Sequence, residues 1–131
     1  MNKTIISNIN QLKDCCNIVD KILETIIEDI SEIEDHPYLD NCSFTIPSNK
    51  FQVYDDIYKK KFKKSIKILE DILSDNEHDD LLDYIQELYN EFLRFEELKV
   101  GDFNGSEDVD DIQNTIRRII LDIDELLKEE D

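Results

Sequence analysis

The chain has 131 residues, 40% of them apolar, with 33 acidic against 15 basic side chains and a formal net charge of −18. That apolar content suffices for one core, which excludes wholesale disorder. A surface so acidic repels nucleic-acid backbones and anionic lipid and favours basic partners. Two Gly and two Pro are too little punctuation for a sheet protein and enough for a few long helices, so the composition leans all-α. High negative charge also keeps a small helical protein soluble, and that bland role competes with every functional one.

The first element is a helix over about 4–35. Ile5, Ile9, Leu12, Cys16, Val19, Leu23, Ile26, Ile30 and Ile33 recur in alternating steps of four and three, one face of a helix that packs on other helices. Ile6, Ile18, Ile22 and Ile27 widen that stripe beyond a two-stranded seam and toward the wall of a bundle. Asp20, Glu24, Glu28, Glu32 and Asp35 are assigned to the reverse side, a carboxylate at nearly every turn. His36-Pro37 stops the helix, because a residue before Pro avoids the α region. The connection from His36 to Ser48 is long for a helix–helix link, and its Leu39, Phe44 and Ile46 point to packing against the domain.

A second helix is expected over 49–74, with Phe51, Tyr54, Tyr58, Phe62, Ser65, Leu69 and Ile72 at helical steps. The third, over 78–100, carries Leu81, Ile85, Leu88, Phe92 and Phe95, and Gly101 suits its C-terminal stop. Ser106 is a good N-cap for the fourth, over 107–129, whose stripe is Val109, Ile112, Ile116, Ile119, Ile123 and Leu126. These elements predict a single domain, 1–131, built as an antiparallel four-helix bundle with a long N-terminal helix and a longer connection between helices 1 and 2. At about 45 Å against about 35 Å for the third, the first helix should overhang the bundle or break near Asn8-Ile9-Asn10. An overhang would be covered by the connection or by a second protomer.

Residues that could carry chemistry are sparse. The Glu-x-x-His repeats of di-iron bundles are missing, since no Glu has a His three residues on. The run from Asp102 to Gln113 echoes a calcium loop but has Glu107 where the sharp-turn Gly belongs and Gln113 where the bidentate Glu belongs. All-α pyrophosphohydrolases of the MazG type gather magnesium on E-x-x-E and E-x-x-D. The nearest features here, Asp29-x-x-Glu32-x-x-Asp35 and Asp122-x-x-Glu125, leave the apolar stripes uninterrupted by paired carboxylates. A Cys42–His36 pair is conceivable within the connection, but a bare Cys and His are more often accidental. Cys15 and Cys16 point about 100° apart on a helix and make a poor disulfide, and Cys16 reads as a small buried hydrophobe. The chain is therefore read as a non-enzyme with no metal or cofactor. No apolar h-region opens it and no run reaches membrane-spanning length, so the expected location is cytoplasmic.

Charge patterning says more. Lys59, Lys60, Lys61, Lys63, Lys64 and Lys67 crowd one stretch and are expected to neutralise neighbouring acidic helices. Acidic rows on three helices place like charges four residues apart, each costing a few tenths of a kcal/mol. From Ile68 to Leu98 one base, Arg94, faces 11 acids, which helix stability alone does not favour. Eighteen charges correspond to roughly 30 Å of duplex DNA, so the charge per length of such a bundle lies within a factor of two of DNA, which permits nucleic-acid mimicry.

One local feature adds a direction. Ile33-Glu34-Asp35-His36-Pro37 followed by Phe44-Thr45-Ile46-Pro47-Ser48 resembles in outline a segment of the colicin- and pyocin-type immunity proteins, small acidic helical inhibitors of nuclease toxins. The likeness spans about a tenth of the chain, and that family's paired tyrosines before the second Pro are absent here; it does not assign the chain to the family. The leading expectation is an acidic binding protein, an inhibitor or immunity-type neutraliser of a basic toxin, nuclease or defence protein. Glu24, Glu28, Glu32 and Asp35 are its candidate steering charges and Tyr38 and Phe44 its candidate anchors. Direct nucleic-acid or membrane binding is not expected. The alternatives are a helical adaptor or assembly subunit pairing through its long first helix, with a homodimer among its forms, and a magnesium-dependent nucleotide pyrophosphohydrolase.

Overall fold

The computed structural model describes residues 3–34, 51–74, 78–98 and 107–130, with side chains for 3–29, 51–74, 78–98 and 108–128. It is an all-α, antiparallel four-helix bundle: α1 (Lys3–Glu34), α2 (Lys59–Leu73), α3 (Asp79–Glu97) and α4 (Glu107–Glu130). The connection 35–50, with Asp35, Tyr38 and Phe44, lies outside the described residues, as do Gly101 and Ser106.

Polar cross-links fix the direction of each pair. Lys13 meets Asp124, Asp20 meets Arg117 and Glu24 meets Gln113, so α4 runs antiparallel to α1. Gln11 meets Ser65 and Cys15 meets Tyr58 across α1–α2. Lys59 pairs with Glu96 across α2–α3, and Arg94 with Asp111 and Arg118 with Glu87 across α3–α4. Seams form between α1 and α2, α2 and α3, α3 and α4, and α4 and α1. Among the described residues the diagonal pairs form no comparable seam. The helices thus stand in a square in chain order, as short links between antiparallel neighbours require.

The core follows the apolar periodicity. On α1 every stripe position from Ile5 to Ile26 is buried, and so are Leu81, Ile85, Leu88, Phe92 and Phe95 on α3. The expected break near Asn8 does not occur, because α1 continues through it. Asn8, 8% exposed, donates its amide to the Thr4 carbonyl at 2.8 Å, so a polar residue beside the stripe is satisfied within its own helix. On the α1–α4 register, α4 runs alongside residues 7 to 30 of α1, so α1 outruns it by about one turn at each end.

Cys15 is buried as well as Cys16. Each point of the α1 wall faces two neighbours, so adjacent cysteines about 100° apart divide between them. Cys15 turns to α2, its thiol donating to the Tyr58 carbonyl at 3.6 Å, and Cys16 turns to α4. Both are free thiols. Burial, reinforced by the Asp14 charge, pushes the Cys15 thiol up to about 11.

The second helix does not open as a plain α-helix. Tyr54–Tyr58 is a π-helical turn, in which the Lys59 amide reaches back five residues to the Tyr54 carbonyl. Phe51 and Tyr54 lie in the core beside it, with Val53 and Ile57 on the outside at 50% and 49% exposure. An aromatic column joins this turn to α3: Phe62 stacks on Phe92 at 3.7 Å, Tyr54 meets Phe95 edge-on at 5.2 Å, and Phe51 lies 4.9 Å from Phe95. Such pairs add about 0.5–1.5 kcal/mol each beyond their buried area.

Phe92→Ala should cost about 3–5 kcal/mol in urea unfolding, because it empties the middle of that column. Leu121→Ala, at a position 63% exposed, should stay within about 0.5 kcal/mol. In a Cys42→Ser background, a thiol-specific reagent at pH 8 should leave the native protein unlabelled over minutes and label both remaining thiols on unfolding. About one Cys15 side chain in a thousand is thiolate at that pH, and rapid native labelling would contradict the burial described.

Candidate binding surface

Charge is sorted by helix. α2 carries six lysines against two acids, whereas α1 has seven acids to three bases, α3 seven to one and α4 nine to three. The one basic helix stands diagonally across the square from α4, which shares with α3 the largest excess of acids. Lys60, Lys63, Lys64 and Lys67 fall at positions i, i+3, i+4 and i+7, all exposed. Only Lys59 of the cluster makes an ion pair among the described residues, at 3.1 Å from Glu96, and Lys61 lies 5.8 Å from the centre of the Tyr58 ring.

All three arginines of the chain serve the two seams of α4. Arg117 donates from Nε and Nη2 to both carboxylate oxygens of Asp20, at 2.7 and 3.1 Å, and Glu24 lies 3.6 Å away. Arg94 donates to Asp111 at 2.9 Å and grips Glu91 through both oxygens at 3.1 and 3.0 Å. Arg118 donates to Glu87 at 3.0 Å. The hydrogen bond that Arg117 donates to Asp20 raises its pKa above the ordinary value, and the one that Arg94 donates to Asp111 does the same for Arg94. Exposed pairs of this kind contribute about 0–1 kcal/mol each, so they set register more than they add stability.

The acidic row of α1 is therefore not simply its reverse side. Asp20 and Glu24 flank the core stripe and belong to the α1–α4 seam. The buried Gln113 donates to the Glu24 carboxylate at 2.7 Å and to the Asp20 carbonyl at 3.5 Å. Glu24 still keeps half its side chain in water, and Glu28 is exposed one turn on. Glu32 lies in α1 with its side chain outside the described residues; Asp35, Tyr38 and Phe44 lie outside them altogether. The structure thus brings together the first part of the candidate set.

A second acidic face spans α3 and α4. There burial, with the charges of Asp122, Asp80 and Glu87, pushes the Tyr84 phenol up. Glu91, at 9% exposure, was not foreseen as buried. The signal was its place between Leu88 and Phe95 on the α3 stripe with Arg94 three residues on, the spacing that lets a cation accompany a carboxylate inward.

Between the Lys13–Asp124 and Asp20–Arg117 pairs, α1 and α4 leave an open groove of about 370 Å³. Cys16 and Ile116 line it, with Asn17 on the α1 side and Ile120 and Leu121 on the α4 side. Among the described residues no three His, Cys, Asp or Glu are grouped to hold a metal ion, and no helix is long and apolar enough to cross a membrane.

No family model, no curated protein and no solved structure matches the chain.

Proposed function

We propose that this chain is an acidic helical binding protein that neutralises a basic partner, of the kind represented by a toxin, a nuclease or a defence protein. The observation that supports this reading is the sorting of charge. Six of the twelve lysines are gathered on α2 and the arginines are tied into the α4 seams, which leaves α1, α3 and α4 each with an excess of carboxylates over cations. Helices selected for stability alone would interleave the two signs. A continuous acidic field steers a cationic partner and accelerates its encounter. Glu24 and Glu28 stand at the edge of that field, with Glu32 and Asp35 following in sequence.

Pairing of two chains through the long first helix is the weaker reading. The α1 stripe from Ile5 to Ile26 is already buried against its own bundle and offers no seam to a second copy. A magnesium-dependent nucleotide hydrolase is the third, and absence of turnover across a nucleotide panel with Mg²⁺ would remove it.

The test is capture and reversal. Protein captured from the source cells should be basic and should elute progressively as salt rises, because exposed charges are screened beyond about 10 Å at 0.1 M. The Glu24→Lys, Glu28→Lys double variant should lose at least tenfold in affinity for it, while Lys63→Glu, Lys64→Glu should bind as well or better. A captured protein that is neutral or acidic, or one whose binding ignores ionic strength, would sink the reading.

A further inference from the structure

The α1–α4 groove joins an apolar interior to a carboxylate rim. Lys13–Asp124 and Asp20–Arg117 are each seven residues from the other along both helices, two turns or about 10 Å, and between them no ion pair bridges the seam. There the short Asn17 stands opposite Leu121, which at 63% is the most exposed of the large apolar residues described. Ile120 is half-buried beside it, and Cys16 and Ile116 lie beneath. The volume of about 370 Å³ is within the range of real binding pockets, which are mostly apolar with a few polar groups at fixed positions.

We infer that this groove is the anchor site for a cationic protein segment, taking one aromatic or large aliphatic side chain whose flanking residues are lysine or arginine. The inference rests on the acidic-binder reading and names the place where it acts. Charge complementarity selects the occupant. Asp20 and Arg117 line the groove as an ion pair, Glu24 lies 3.6 Å beyond Arg117, and the Lys13–Asp124 pair stands at the other end, so three carboxylates meet two cations and leave one negative charge over. An acidic peptide or a phosphate backbone meets repulsion, and a second copy of the chain brings its own charge of −18. A cationic segment gains on both counts, since its anchor leaves water in the groove while its charges replace none of the existing pairs. Anchors of this type carry most of the energy of an interface when a polar rim excludes water around them.

The chain contains no Trp, so the emission of a Trp-containing peptide reports on the peptide alone. The probes are blocked pentapeptides with a central Trp flanked by two lysines on each side, the same peptide with Gly in place of Trp, and the same peptide with glutamates in place of the lysines. Calorimetry gives the affinities and indole emission gives the surroundings of the anchor. The lysine–Trp peptide should bind about tenfold tighter than the lysine–Gly peptide, with its emission shifted to the blue, and the glutamate–Trp peptide should not bind. Asn17→Phe, which fills the groove from an exposed position, and Leu121→Asp, which makes its wall polar, should each abolish the blue shift and bring the two lysine peptides to equal affinity. Equal affinities on the unaltered protein, or a blue shift that survives both variants, overturn the groove while leaving the acidic-binder reading standing. Equal binding of the glutamate–Trp peptide overturns the cationic occupant. If neither lysine peptide binds even at low salt, the acidic-binder reading fails and the groove proposal falls with it.

Discussion

The bundle depends on keeping carboxylate-rich helices in contact with one another. α2 is the only helix with an excess of bases, and in the square it borders α1 and α3. Those two seams therefore join helices of opposite net charge. The two that remain, α3–α4 and α4–α1, bring acid against acid. All three arginines stand at these two seams and nowhere else. Arginine suits the task because its planar fork engages two carboxylate oxygens at once and stays charged at any relevant pH. Ring order and arginine placement are thus one fact: whichever helices lie away from the lysines need a guanidinium between them.

This arrangement divides labour between apolar and ionic groups. The apolar stripes provide the driving force, since burial of side chains such as Leu88 and Ile119 does not depend on the facing charge. The ion pairs add little energy but penalise slipped registers, because a shift of one turn would leave Asp20 without Arg117 and Glu87 without Arg118. Gln113 and Ser65, both buried, do the same with neutral groups. The aromatic column between the second and third helices has another role, filling the corner that the π-helical turn opens.

The fold was legible because its signal is one-dimensional: an unbroken 3.5-residue period can be read from α1 or α3 without knowing what lies opposite. The candidate surface was less so, for three physical reasons. A helix in a square bundle faces two neighbours, so positions one step off the stripe, such as Asp20 and Cys15, become seam residues rather than solvent residues, and periodicity alone places them one step too far out. The π-helical turn inserts a residue without changing composition, and Phe51, Tyr54 and Tyr58 read as an ordinary helix. Glu91 entered the core only with the help of Arg94, and a buried carboxylate looks in sequence like any other acid. The lysine cluster was visible at once, but its meaning depended on which helices stand beside it.

The diagonal placement of α2 and α4 gives the molecule a transverse electric dipole, with its positive edge along the exposed Lys60, Lys63, Lys64 and Lys67 and its negative edge along α4. In the field of a cationic surface such a body feels a torque as well as a pull. It turns α4 forward and trails the lysine helix behind before any atoms touch. The same torque at an anionic surface would present α2 first. Orientation on approach is therefore set by the signs of the side chains on two opposite edges, at distances where the shape of the bundle has no influence.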